Sequence, residues 1–432
     1  MKKLFWFCLL LLIPGMLARI NFGGVGIMAS DIILPIFAVL WVGGKILKNQ
    51  EFPRNKWIGL GLLFLFWALI SWLIGAWDLG LKEKVLSFSY LVRLISLFIF
   101  GWATMDIFQT TSSQPSFAGK ESKINFFAGF FLISGVIVFL GFLQFFLIPD
   151  ISKFSTEGGW DPHIGRLLGT WLDPNYLAGF LGFLLPISIA KWYDQTPKSP
   201  YQGTVKIPRK LLALLILSSV AALFLTFSRS GYLAAGFGLL IFFFFKDWKI
   251  ILLAIIIAII GIFSSERATK RVEEFAGTFA SIVFQDTDEI DPTAKLRIQN
   301  WEKSYTLFEK NKFAGIGYNT YRYIAAEEGI VDEGYFSAGG ADSTHLTILV
   351  TTGIIGFLLY LLFLGNILRL SWQNYWRDKN PIYLGFFAGF SALIVHATFV
   401  NSLFFPLIFL PVMAVWGIIS RKNLTISKIQ VE

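Results

Sequence analysis

Residues 211–245 read LLALLILSSVAALFLTFSRSGYLAAGFGLLIFFFF, and Arg229 is the only charged side chain among them. With the flanking basic residues Arg209, Lys210 and Lys246, this is the pattern of two helices that each cross a bilayer, joined by FSRSG. The rest of the chain repeats the signal. Further apolar runs of membrane length begin near Leu4, Ile27, Trp57, Val85, Ile124, Asn175, Lys249, His345, Pro381 and Ser402. The expectation is an all-α polytopic membrane protein with about twelve transmembrane helices.

Composition supports this reading. Of 432 residues 55% are hydrophobic and 15% charged, and the mean hydropathy is +0.64. A soluble fold could not cover that much apolar surface, so the lipid bilayer is the expected solvent. The net charge of +9 does not gather into one basic face, which argues against nucleic acid as a partner. The basic residues instead mark alternate connectors: Lys48, Arg54 and Lys56, then Lys120 and Lys123, then Lys191 to Lys210, then Arg369, Arg377 and Lys379. Lys82 and Lys84 run against the trend. The positive-inside rule then places both termini in the cytoplasm. The sole cysteine, Cys8, excludes an internal disulfide or a Cys-based metal site. MKKLFWFCLLLLIPGMLA at the N-terminus reads either as a signal peptide or as a retained first span, and the topology works with it retained.

This parity divides the chain into nine spans over 1–263, a long extracytoplasmic loop over 264–344, and three spans with a cytoplasmic tail over 345–432. It also puts three polar connectors on one side: residues 149–174, the turn at Arg229, and the long loop. Within the loop, RATKRVEEFAGTFASIVF and AKLRIQNWEKSYTLFEK carry helical spacing, and GIGYNTYRYIAAEEG reads as a turn and a short helix.

Each candidate residue has a functional and a structural reading. Arg229 beside hydrocarbon needs a partner, either a ligand or lipid phosphates. Arg166 is a second connector arginine, with His163 nearby as a surface histidine, and Asp173-Pro174-Asn175 reads as a helix start with Asp173 as cap. Arg297 stands one turn before Trp301, as a ligand cation or a cation–π partner. His345 suits a general base near neutral pH, or a helix-end hydrogen bond; Asp342 either orients it or caps its helix. QDTDEIDP, around Asp286, is a divalent-cation site or a solvated acidic loop. Asp31 and Arg93, inside spans two and four, would satisfy each other in a buried contact, and His396 reads as a hydrogen-bonded bundle residue.

SRSGYLA, then LRIQNWEKSYTLFEKNKFAGIGYNTY, then His345 followed by ILVTTGIIGFLLYLL together resemble the O-antigen ligase and O-antigen polymerase superfamily, as does the section from Arg166 through Asn175 to Gly179. Leu346 follows the histidine where that family commonly has Asn. The resemblance implies a GT-C type membrane glycosyltransferase. It would move a glycan from an undecaprenyl-diphosphate carrier to a hydroxyl of a glycan or lipid A core acceptor, on the outer face of the cytoplasmic membrane. It implies His345 as base, Arg229 and Arg297 at the diphosphate, and Arg166, Asn175, Tyr318, Asn319 and Asp342 at the substrate. Arginines in that role need no metal or other cofactor. Trp160, Trp171, Tyr318, Tyr321 and Tyr335 are candidates for stacking on sugars or anchoring at the interface. Two rivals are a transporter of an inorganic anion such as bicarbonate and a nonenzymatic scaffold for polysaccharide-assembly proteins.

Overall fold

The computed structural model describes residues 1–22, 25–108, 118–152, 163–194, 207–252, 292–330 and 339–420. Its helices are α1 (Lys2–Leu10), α2 (Ala29–Leu47), α3 (Lys56–Gly75), α4 (Leu81–Ile107), α5 (Ala118–Leu147), α6 (Pro174–Asp194), α7 (Arg209–Leu225), α8 (Arg229–Lys246), α9 (Pro292–Lys310), α10 (Tyr321–Glu327), α11 (Thr344–Asp378), α12 (Pro381–Phe399) and α13 (Pro406–Ile419). Among the described residues eight helices are long and apolar enough to cross a membrane: α2 to α6, α8, α11 and α12. An all-α membrane bundle is what the composition requires. The count of about twelve is not reached in this set: the expected first, seventh and last spans form helices of 9, 17 and 14 residues, and the expected ninth lies largely outside the described residues, as does the loop helix expected over 267–284.

The first expected span is not a continuous helix. α1 ends at Leu10, and after a 3-10 turn over Gly15–Ala18 the chain forms an antiparallel hairpin, β1 (Arg19–Phe22) with β2 (Val25–Met28). Pro14 has no N–H with which to extend the helix, and the carbonyls left open just before it are taken by another connector. Trp171 Nε1 donates to Leu12 at 2.9 Å and Thr170 Oγ1 donates to Ile13 at 2.6 Å. The last helix, α13, has 14 residues, about 21 Å against the ~30 Å of a hydrocarbon core. The turn before it therefore starts inside the bundle, where Ser402 and Leu403 are fully buried.

The centre is the trio α6, α8 and α12, packed mutually, with α13 on α4 and α11 on α3 and α12. Lipid-like surroundings give helices no hydrophobic reason to associate, so close backbone approach through small residues carries the packing. A Cβ on Gly385 would lie 2.8 Å from the Pro186 carbonyl, one on Gly389 2.5 Å from that of Phe183, and one on Gly238 2.9 Å from that of Ala388.

Asp31 and Arg93 form the expected contact. Nε and Nη2 of Arg93 reach the two carboxylate oxygens, both at 2.6 Å, and the arginine also lies 4.3 Å from the Tyr90 ring. Asp31→Asn would strand a guanidinium that is 12% exposed. The expected loss is about 3 kcal/mol, read as a lower unfolding midpoint in detergent; an unchanged midpoint would show that the pair contributes nothing.

Candidate functional site

All three polar connectors meet at one end of the bundle. Arg166 donates from Nε to the Thr226 carbonyl at 2.8 Å and from Nη2 to that of Phe227 at 3.3 Å, so it grips the turn that presents Arg229. Phe227 takes φ 49°, and Ser228 caps α8 by accepting from Gly231 N at 3.2 Å. Ser228 Oγ also donates to Asn175 Oδ1 at 2.8 Å. Asn175 is itself fixed because Asp173 caps α6, accepting from Asn175 N at 2.7 Å and Tyr176 N at 3.2 Å. Arg229 is thus the first residue of α8, exposed, on a turn held from two sides. His163, expected at the surface, is instead 9% exposed, with Nδ1 3.3 Å from Arg166 Nη1.

The described part of the long loop, 292–330 and 339–344, joins this end through a broken helix. Within α11, Gly353 has φ 66° and ψ −174°, which interrupts the helix. A straight helix would separate His345 from Tyr360 by about 22 Å along its axis; here Tyr360 Oη lies 2.8 Å from His345 Nδ1. The first arm, 344–352, is folded sharply back against the second. Its last carbonyls need partners, because membrane interiors offer none. Ile316 N donates to Val350 at 3.0 Å, Gly317 N and Ser71 Oγ to Thr351 at 3.0 and 2.7 Å, and Trp67 Nε1 to Thr352 at 2.9 Å. The Gly-x-Gly of the loop exists for this join: a Cβ on Gly315 would lie 2.4 Å from Thr351 C and one on Gly317 2.9 Å from Gly75 Cα.

Because Tyr360 stands two turns beyond Gly353, the His345 ring is set about 10 Å in from that junction. Its Nε2 lies 2.9 Å from the Ile394 carbonyl. A carbonyl only accepts, so Nε2 carries the hydrogen and the Tyr360 hydroxyl donates to Nδ1. Two residues on, fully buried His396 bonds through Nδ1 to Ser402 Oγ at 2.9 Å, as a bundle residue should. It also lies against Gly179 and within electrostatic reach of Arg297. Ser402 N in turn donates to Thr344 Oγ1 at 3.0 Å, next to His345. His396 thereby links α6, α9 and the first arm of α11, a role the sequence did not reveal.

Asp342 neither caps that arm nor shares its helix. Ser343 is the cap, accepting from Leu346 N at 3.3 Å, while Asp342, at φ 51°, accepts from Asn300 Nδ2 at 2.9 Å and ties the connector to α9 one turn after Arg297. Asn319 takes φ 58° beside buried Tyr318, which is within electrostatic reach of Arg93. Burial pushes the Tyr318 and Tyr321 phenols above their ordinary range, so both stay protonated. Trp171 and Tyr321 are 0% and 1% exposed, Tyr321 bonding Ser304 at 2.6 Å. Packed on protein, these two rings offer no face to a sugar or to the interface. Trp160, Tyr335 and the Asp286 cluster lie outside the described residues.

The fold and the site define an integral membrane protein whose polar connectors, bearing arginines and a histidine, converge at one end of an apolar bundle. Residues 212–361 match the family model described as O-antigen ligase, a stretch that contains Arg229, Arg297, Gly353 and His345. Over this segment, about a third of its length, the chain is similar to the O-antigen ligase family, which supports a place among membrane proteins of polysaccharide and lipopolysaccharide biosynthesis. A comparison with curated proteins gives no match.

Proposed function

We propose that this protein is a glycosyltransferase that transfers a glycan from an undecaprenyl-diphosphate carrier to an acceptor hydroxyl, on the outer face of the cytoplasmic membrane. The observation that supports it best is the convergence of the Arg229, Arg297 and His345 stretches at one end of the bundle, linked through Asn175, Gly179 and His396. In the reaction, the acceptor oxygen attacks the anomeric carbon and the carbon–oxygen bond to the diphosphate breaks, with inversion. Arg229 and Arg297 meet the charge that builds on the departing diphosphate, where low dielectric strengthens the attraction. The acceptor's proton reaches His345 through Tyr360: the hydroxyl passes its own hydrogen to Nδ1 as its oxygen takes the acceptor's. The imidazolium then has an acceptor on each nitrogen, Tyr360 Oη and the Ile394 carbonyl. Arg166 positions the Arg229 turn, while Asn175, Asp342, Tyr318 and Asn319 shape the walls that receive sugar. No step requires a divalent cation.

A broken helix is also a transporter device, because freed carbonyls can hold an ion. Here the carbonyls of Val350, Thr351 and Thr352 are already bonded by protein groups, which favours the enzyme.

The test uses purified full-length protein, a carrier-linked glycan, and either lipid A core or a second carrier-linked glycan as acceptor. Product with the first marks a ligase, with the second a polymerase. His345→Ala should lower the rate by roughly a hundredfold or more, and EDTA should leave it within about twofold. If neither acceptor is glycosylated and cells carrying His345→Ala make normal glycan, the scaffold reading replaces this one.

A further inference from the structure

The opposite end of the bundle carries a polar recess of about 860 Å³, between the start of α3 and the end of α11. α3 spans 20 residues, about 30 Å, and its far end, Gly75, touches Ile316 at the Gly353 junction. The recess is therefore a bilayer thickness away from the candidate site and independent of the reading given to it.

Its lining is almost wholly of donors. Arg54 and Lys56 come from α3 and its approach, and Arg369 and Arg377 from α11, two turns apart on one stripe with Gln373 between them. Among the described residues no carboxylate lines it; Asp378, just outside, reaches Arg377 Nε at 3.1 Å and offsets part of that charge. Asn374 also lines the recess. It is 1% exposed, and its Nδ2 meets no acceptor among the described residues. Native proteins rarely leave a buried amide donor unmade, since the lost hydration is not returned.

The start of α3 adds to this. Asn55 stands at the N-cap position without capping, because its Nδ2 is turned to the Ser420 carbonyl at 3.1 Å. The first-turn N–H groups of a long helix, with the positive end of its dipole, thus border the same recess.

Four cations, a stranded amide and an uncapped helix start ask for an oxygen-rich anion. The recess lies at the ends of two helices that are long and apolar enough to span a bilayer, with Leu370 in its wall. A phosphate there is most readily that of a lipid. We propose that this recess binds the phosphate headgroup of an anionic phospholipid, with Asn374 reading one of its oxygens.

The full-length protein in neutral detergent is titrated with phosphatidylglycerol, phosphatidylcholine or inorganic phosphate, following the unfolding midpoint and lipid retention by native mass spectrometry. Phosphatidylglycerol should raise the midpoint and be retained; phosphatidylcholine should do neither. Each cation replaced among Arg54→Gln, Arg369→Gln and Arg377→Gln should weaken retention roughly fivefold. Arg54 is exposed, so its single variant carries the test if the triple variant does not accumulate. Asn374→Leu removes the stranded donor, and it should fold at least as well as the parent while holding the lipid less tightly. Equal responses to both lipids, or undiminished retention by the Arg54 variant, would overturn the site. An equal response to inorganic phosphate would overturn the lipid assignment.

Discussion

Arg229→Ala is expected to cut glycan transfer by roughly 10²- to 10³-fold while the protein accumulates normally. The side chain is exposed, and the helix it begins is capped by the Ser228 hydroxyl, which the substitution leaves in place. What disappears is a planar, multidentate donor at a leaving group, which Lys replaces poorly; Arg229→Lys should restore less than about a tenth of the rate. The assay is transfer per amount of membrane-embedded protein, and a variant that keeps half its activity would remove Arg229 from the chemistry.

The second large effect is on folding. Gly353→Val should prevent stable accumulation, through a loss of more than about 4 kcal/mol. The residue has φ 66°, and an added Cβ would lie 2.2 Å from the Phe313 carbonyl oxygen and 2.7 Å from Ala314 N. That is backbone, which cannot step aside without opening the join on which His345 depends. Gly365, on the second arm of the same helix, has nothing within 4 Å of an added Cβ, so Gly365→Ala should be neutral or gain up to about 1 kcal/mol. The two variants are compared by the amount in the membrane fraction and by the unfolding midpoint. Equal stability would mean the helix does not need its break.

Much of the site was legible because its residues sit where polar groups are costly. Arg229 between two apolar runs, Asp173 and Pro174 at a helix start, and Asp31 with Arg93 inside spans all follow from the price of burying charge or leaving an amide unmade. The partners of His345 were not legible. Tyr360 is fifteen positions away and Ile394 forty-nine, and neither carries a local signal. Asp342 was misread for a related reason: three residues before a histidine looks like one helical turn, but the helix starts only at Thr344.

The sequence by itself determined a membrane bundle, the grouping of its polar connectors, and the family motifs within 212–361, because hydropathy and charge act locally and a bilayer imposes the length of a helix. Only the tertiary structure decided that the run after His345 is two arms rather than one span, that the glycines of two distant motifs press against each other, and that the first apolar segment ends at Pro14. Those outcomes depend on which distant groups satisfy a broken helix's carbonyls, and hydrogen bonds between segments hundreds of residues apart leave no periodicity for a sequence to display.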